Sequence, residues 1–248
     1  MTKRLQDKIS IICGATSGIG EAMTKLFASE GSTVIFTGRR LELGKKIEEE
    51  ILQSNGKVKF IQADSTIMQD LKAVVDYAIK EYGRIDVLCN NAGILYDATP
   101  THEIDIETNY QNTFDINIKS QFMMNSLVIP HMLEAGKGSI INTSSIGADS
   151  PMPYFATYSA SKAAIKQMTR SMAKEYASRG IRINCIQPGL TTSEMVPVEG
   201  SFEQNVLPAV AIGRPADPKE IAYGALFLAS DESSYCCGTC LLIDGGLL

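Results

Sequence analysis

Apolar positions along this chain switch repeatedly between short continuous runs and helical spacing. Lys8–Cys13, Thr33–Thr37, Val58–Ala63, Ile85–Cys89, Ser139–Asn142, Ile181–Ile186 and Cys240–Ile243 are short and largely apolar, and they read as seven strands. Between them, apolar residues recur three and four positions apart. Ile67, Leu71, Val74, Val75, Ala78 and Ile79 line one face of a helix that Ser65 or Thr66 caps and Gly83 closes. Ile165, Met168, Met172 and Tyr176 do the same in a helix that contains Tyr158 and stops at Gly180. Another helix follows Gly20 and ends before Gly31, and a charged one covers about Leu41–Ser54. A long helical region begins near Glu107, with a break or kink expected at Pro130. Asp217-Pro218-Lys219-Glu220 supplies an N-cap, a proline at the first helical position and a glutamate at the third, opening a helix that runs to about Ala229. Strand and helix alternate from end to end without repeats, low-complexity tracts or a linker. That alternation predicts one α/β domain over residues 1–248, a doubly wound parallel sheet of about seven strands with helices on both faces. Its functional loops then lie at the C-terminal ends of the strands.

Composition narrows the partners more than the fold. The chain has 248 residues, 44% hydrophobic and 21% charged, enough for a large core. A net charge of −5 and a pI near 5.2 argue against nucleic acid or an anionic membrane as partner. No apolar run has the length of a membrane span. The N-terminal MTKRLQDK is polar and leads straight into a strand, so no signal peptide is expected and a cytoplasmic setting is the default. Six cysteines do not make a disulfide framework in a chain of this size. Cys13, Cys89 and Cys185 lie in or beside strands as small core residues. Cys237-Gly-Thr-Cys240 has the spacing of a metal or redox pair. The two histidines, His102 and His131, are distant in sequence, so packing at the start of the last strand is the expectation and no metal site is predicted.

Two stretches carry chemistry. Gly14-Ala-Thr-Ser-Gly18-Ile-Gly20 lies between the first strand and the first helix, where a doubly wound sheet holds a dinucleotide. Gly14 allows a tight turn, Gly18 lets backbone approach a pyrophosphate, and Gly20 lets the helix pack on the sheet. The helix N-terminus then faces the phosphates. About 20 residues further on, NAD sites place a carboxylate against the ribose 2′-hydroxyl; here the chain reads Thr37-Gly38-Arg39-Arg40. A guanidinium grips a 2′-phosphate, so NADP(H) is favoured over NAD(H), although two solvated arginines are also compatible with NAD. The second stretch, Tyr158-Ser-Ala-Ser-Lys162, puts a phenol and an ammonium on one helix face. An ammonium near a phenol lowers a pKa of about 10 and suits the pair to trade a proton with an alcohol. The plain alternative is an exposed Tyr and Lys on an amphipathic helix. Ser145 follows the fifth strand and falls at its C-terminal end.

Taken together, the Gly14–Gly20 loop, Asp64 after the third strand, Asn90-Asn-Ala-Gly93, Asn117, Ser145, Tyr158-x-x-x-Lys162, Pro188-Gly189 and Asp244-Gly245-Gly246 resemble the short-chain dehydrogenase/reductase family over essentially the whole chain. The resemblance implies a Rossmann-type fold and an alcohol dehydrogenase or ketone reductase, with a bacterial hydroxysteroid dehydrogenase-like member as the leading expectation. It implies that Tyr158 is the general acid/base. Lys162 lowers the Tyr158 pKa and bonds the nicotinamide ribose, and Ser145 polarises the substrate oxygen. Asn117 shapes the active-site helix and holds a relay water. It also implies a cofactor site made by Gly14, Thr16, Ser17, Gly18, Ile19, Gly20, Arg39 and Arg40. Asp64 and Ser65 complete it at the adenine, Asn90, Ala92 and Gly93 on the adenosine ribose side, and Pro188, Gly189 and Ser193 at the nicotinamide. Two positions depart from the family pattern: Cys13 and Ser193 stand where threonine is usual.

Substrate choice is expected to lie in Ile94–Ile104, Ile146–Phe155 and above all a lid over about 190–213, with Met195, Val196, Pro197, Val198 and Phe202. None of the three carries Lys or Arg, which suits an apolar alcohol or ketone. The alternative is a 3-oxoacyl thioester reductase, whose carrier-protein docking resembles a basic patch; Arg179 and Lys137 are what the chain offers. A different class, a cofactor-sensing protein without turnover, is disfavoured by the intact Ser145, Tyr158 and Lys162. The resemblance further implies a homodimer or homotetramer, joined through the helix before the fifth strand and the Tyr158 helix. Met123, Met124, Met132, Met168 and Met172 are candidates for that contact, with core packing an equal explanation.

Overall fold

The computed structural model describes residues 3–196 and 201–248, without the side chains at 201 and 202. The strands are β1 (Ile9–Cys13), β2 (Thr33–Gly38), β3 (Lys57–Gln62), β4 (Val87–Asn90), β5 (Gly138–Thr143), β6 (Ile181–Pro188) and β7 (Cys240–Ile243). The helices are α1 (Gly18–Ser29), α2 (Leu41–Gln53), α3 (Met68–Tyr82), α4 (Gln111–Phe114), α5 (Ser120–Ala135), α6 (Ala156–Tyr176), α7 (Ser201–Val206) and α8 (Pro218–Ala229). One sheet holds all seven strands in the order β3-β2-β1-β4-β5-β6-β7, and every neighbouring pair is parallel.

Parallel pairing forces each connection to cross a face of the sheet, and the helices cover both faces. The pleat shares β1 between them. Ile12 points into a core with Phe27, Ile47 and Leu226 from α1, α2 and α8. Ile11 and Cys13 point into the opposite one, with Val74, Val128 and Ile165 from α3, α5 and α6. Winding runs outward from β1 to β3, then returns to β4 on the other side of β1. The C-terminal ends of β1 and β4 therefore flank the reversal, where such sheets open a crevice.

Two local expectations are corrected. Neither Ser65 nor Thr66 caps α3, which starts at Met68 with Ile67 in the N-cap position. The Asp64 carboxylate takes both the Thr66 N–H (2.9 Å) and the Thr66 hydroxyl (2.7 Å), so that hydroxyl is occupied before the helix begins. Nor does the long helical region break at Pro130, which lies inside α5. Its irregularities are upstream, where π-helical turns at Ile106–Tyr110 and Asp115–Lys119 flank α4. Such turns add a residue to the helical repeat and re-aim the side chains beyond them, and the second carries Asn117. The α8 start is as read: Asp217 accepts from Lys219 N–H at 2.8 Å and Glu220 accepts from Asp217 N–H at 2.9 Å. Met124, Met132, Met168 and Met172 are buried core residues and are not available to a partner. Cys237 contacts the Ala173 carbonyl, and Cys240 lies in register beside Cys185. Among the described residues, no helix is long and apolar enough to cross a membrane.

Candidate active site

Two loops meet at the reversal point. Gly14 has φ 69°, and a Cβ there would lie 2.5 Å from the Ala92 Cα, so the β1–α1 loop touches the loop after β4 at a place only glycine fits. A Cβ on Gly20 would run into the Gly14 carbonyl oxygen. The Asn91 side chain donates to that same oxygen at 2.8 Å, and Ala15 N–H donates to the Thr37 carbonyl at 2.8 Å. Nothing in the sequence singles out Asn91, and only its place inside Asn90-Asn-Ala-Gly93 hints at it. Ser17 precedes α1 in extended conformation without capping it through its side chain, which leaves the first-turn N–H groups to an anion. Arg40 reaches over this loop, donating to the Thr16 hydroxyl at 3.2 Å and the Ser17 hydroxyl at 2.6 Å.

The Asn90 side chain is committed within the protein, which leaves its backbone for the expected ribose side. Asn90 is 2% exposed and donates to Asn125 and Asn142, each at 2.9 Å, which ties β4 to β5 and α5. A carboxamide inside a sheet covered on both faces has no water, so it must find protein partners. Asp64 and Ser65 follow β3 on the far side of the loops. Burial would raise the Asp64 carboxyl, but the two Thr66 hydrogen bonds and the nearby Arg39 outweigh it and hold it below its usual range. Ser65 and Ala92 share a small cavity with Cys13 and Asn90.

The proton-handling groups gather beyond β5. Ser145, extended at the strand's exit, accepts from Gly147 N–H at 3.1 Å, and its hydroxyl also bonds the Tyr158 phenol. Gly147 lies close under the Tyr158 ring, where a Cβ would stand 3.4 Å from Cε1. Lys162, one turn along α6 and 4% exposed, donates to the Thr143 carbonyl at 3.0 Å. Gly93 comes within reach of the same ammonium, since a Cβ there would be 3.3 Å from Nζ. Asn117 is fully buried: it accepts from Ile94 N–H at 2.8 Å and donates to the Ile94 carbonyl at 3.1 Å and the Ser161 hydroxyl at 3.0 Å. Its side chain thus locks the loop after β4 onto α6.

The Lys162 ammonium lies 5.5 Å from the centroid of the Tyr158 ring, and its hydrogen bond goes to the Thr143 carbonyl rather than to the phenol. Burial pushes the phenol upward against the pull of the Ser145 hydrogen bond, and burial brings Lys162 down to about 8. Behind Ser145 stands a support that the sequence did not suggest. Gln187 donates to the Ser145 carbonyl at 3.3 Å and to Asp149 at 2.7 Å, and Lys166 bonds that carboxylate. Lys166 and Gln187 hold the Asp149 carboxyl below its usual range.

After β6, Gly189 packs so closely on Asp244 that a Cβ would lie 2.5 Å from the Asp244 Cα. Thr191 pairs with Ala216, and the Ser193 hydroxyl accepts from Val196 N–H at 3.1 Å. Of the expected lid residues, Pro197, Val198 and the Phe202 side chain lie outside the described residues. A cleft on the α4 side of Tyr158 is lined by Leu95, Tyr96, Ile104, Tyr154 and Phe155. No group of three or more His, Cys, Asp or Glu converges as a metal site among the described residues.

Residues 8–204 match the model of the short chain dehydrogenases. The chain is 39% identical over 246 residues to a 3-oxoacyl-(acyl-carrier-protein) reductase of Thermotoga maritima, covering 99% of each. It is 33% identical over 246 residues to a cyclohexanol dehydrogenase of an Acinetobacter species, covering 99% of this chain and 96% of that protein. Its fold superposes with a TM-score of 0.93 on a 7α-hydroxysteroid dehydrogenase solved with NADH and 7-oxo glycochenodeoxycholic acid, 32% identical, covering 99% of this chain and 96% of that one. A tightly packed glycine loop at the sheet's reversal point, a Ser–Tyr–Lys group beside it and this full-length kinship lead to one conclusion: the chain belongs to the short chain dehydrogenase family of oxidoreductases.

Proposed function

We propose that this chain interconverts a secondary alcohol and a ketone on a largely apolar substrate of the hydroxysteroid or similar type, using NADP(H) in preference to NAD(H). One observation carries the reading: Ser145, Tyr158 and Lys162 converge at the end of β5, within reach of the loop that Gly93 brings over from β4. The residues fit a dinucleotide, because Gly14 and Gly20 let the β1–α1 loop pack directly on the loop after β4 while the first-turn N–H groups of α1 keep no side-chain cap. Gly14, Thr16, Ser17, Gly18, Ile19 and Gly20 would hold its pyrophosphate, and Asp64 and Ser65 its adenine. Backbone at Asn90, Ala92 and Gly93 would border the adenosine side, and Pro188, Gly189 and Ser193 the nicotinamide. When bound, the nicotinamide ring supplies or accepts hydride at carbon. Tyr158 exchanges a proton with the substrate oxygen. Ser145 offers its hydroxyl to that oxygen, and Lys162 keeps a positive charge beside the phenol. Asn117 holds the framework between them.

Arg40 over Thr16 and Ser17, at a β2 end that reads Thr37-Gly38-Arg39-Arg40 without a carboxylate, supports the 2′-phosphate. The cleft beside Tyr158 sets Leu95, Tyr96, Ile104, Tyr154 and Phe155 among Asp97, Thr99, Asn109 and Thr113, and its apolar part supports a largely apolar substrate. The second reading, reduction of a 3-oxoacyl thioester, is favoured by the Thermotoga maritima relative. Against it, neither basic candidate borders the cleft within one chain: Lys137 pairs with Asp86, and Arg179 lies over Tyr176 at the far end of α6. A homodimer or homotetramer in the cytoplasm completes the proposal; on α5, Phe122 is an exposed apolar residue that a subunit contact would use.

A panel of cyclic ketones and acetoacetyl thioesters, assayed with NADPH and NADH, tests this directly. The expected result is the highest kcat/KM for an apolar ketone with NADPH; faster thioester reduction would reverse the order of the two readings. Tyr158→Phe should lose about 10²-fold or more in turnover while cofactor binding persists.

A further inference from the structure

Arg40 already holds an anion. Besides its bonds to Thr16 and Ser17, its guanidinium donates through Nη1 to the Glu194 carboxylate. Glu194 comes from the loop after β6, so this ion pair ties that loop to the phosphate loop across the mouth of the cofactor cleft. A second contact runs beside it: a Cβ on Gly18 would lie 3.5 Å from the Ser193 Cβ. The Ser193 hydroxyl accepts from Val196 N–H, and the backbone N–H groups of Ser193 and Val196 bond each other's carbonyls at 3.0 and 3.2 Å. That tight turn presents Glu194 toward Arg40. Arg39 is no substitute, because it lies on the Asp64 side of the loop, where it acts on that carboxylate.

A carboxylate and a 2′-phosphate ask the same thing of a guanidinium, namely paired in-plane N–H donors. Both would compete for the Nη1 edge of the guanidinium, and two anions crowded onto one cation repel each other. We propose that Glu194 sets the cofactor selectivity of this chain by holding Arg40 in place of the 2′-phosphate. The phosphate of NADP(H) must displace Glu194, and that displacement releases the loop at 190–196. NAD(H) carries only a neutral 2′-hydroxyl at this point and leaves the pair closed over the phosphate loop. Glu194 therefore narrows the preference that Arg40 alone would give. This inference rests on the NADP(H) reading above and adds the residue that limits it.

Fluorescence titration of NADPH and NADH against the wild type, Glu194→Gln, Arg40→Ala and the double variant tests it without turnover. The pair is exposed on both sides, so its removal is worth about fivefold in an equilibrium constant. Glu194→Gln is expected to tighten NADPH by about that factor and to move NADH less than twofold; in the Arg40→Ala background the same change should do nothing. If Arg40→Ala weakens NADPH but Glu194→Gln is silent, or shifts both cofactors equally, the latch is wrong and the NADP(H) reading stands. If Arg40→Ala leaves NADPH binding unchanged, both fall together. Backbone hydrogen exchange over 190–196 supplies a second reading. Faster exchange in the NADPH complex than in the NADH complex supports release of the loop, and equal exchange overturns it.

Discussion

Lys162 and Tyr158 sit one helical turn apart, yet burial perturbs each more than they perturb one another. The lysine comes down to about 8 and the phenol goes up, so the first proton this pair loses is the lysine's, near pH 8. Below that pH the pair holds both protons and can give one to a ketone oxygen; above it, the pair is ready to take one from an alcohol. Ketone reduction is therefore expected to fall as pH rises through about 8, and alcohol oxidation to rise, both read in kcat/KM. Lys162→Met should move that limb upward, toward the raised range of the phenol. A limb that stayed near 8 in this variant would show that Lys162 is not its source. The residues themselves were legible in the sequence, because Tyr158 and Lys162 are four apart and Ser145 ends a strand. Asn91, Asp149 and Gln187 were not, since each acts on a group tens of residues away.

At the scale of elements, the phosphate loop takes its shape from the strand end opposite it. Asn91→Ala would free the Gly14 carbonyl and loosen the turn. Both NADPH and NADH should bind about five- to tenfold more weakly, the worth of roughly 1 kcal/mol, with their ratio unchanged. A change in the ratio instead would move Asn91 into the selectivity machinery. Helix starts differ in how far they can be read locally. The α8 box was visible because Asp217, Pro218 and Glu220 interact within one turn, and Asp217→Ala should cost about 1 kcal/mol, seen as a Tm drop of roughly 2–4 °C. The α3 start was not visible, because Thr66 had a choice between the helix and Asp64 and the folded loop decided it. The π-turn at Asn117 belongs with the second kind: its side chain is pulled between Ile94 and Ser161, and the helix adjusts to that demand.

Over the whole molecule, one sheet carries both halves of the site. The glycine loop stands at the end of β1 and the Ser–Tyr–Lys group beyond β5, with only β4 between those strands. A ligand that spans the two should therefore stabilise the sheet as a unit. NADPH at about 100 times its Kd is expected to add roughly 2.7 kcal/mol and to raise Tm by about 5–10 °C in a single transition. Two separate transitions, with only the first moved by the cofactor, would show that the β1 and β5 sides unfold independently. The two-faced burial behind this unity is plain in the chain, since strands such as β1 are apolar at almost every position.

By itself the sequence determined what depends on near neighbours: seven strands, the helices between them, the glycine turn, and the spacing of Tyr158 from Lys162. It also determined the parallel arrangement, because strands buried on both faces with helices between them have no other way to close. Tertiary structure alone decided where each polar group found its partner. Asn90 turned into a buried trio of asparagines, Lys162 gave its hydrogen bond to the Thr143 carbonyl, and Arg40 met Glu194 from the loop after β6. These outcomes turn on desolvation and on contacts between residues far apart in the chain, and neither exists until the sheet has brought its loops together.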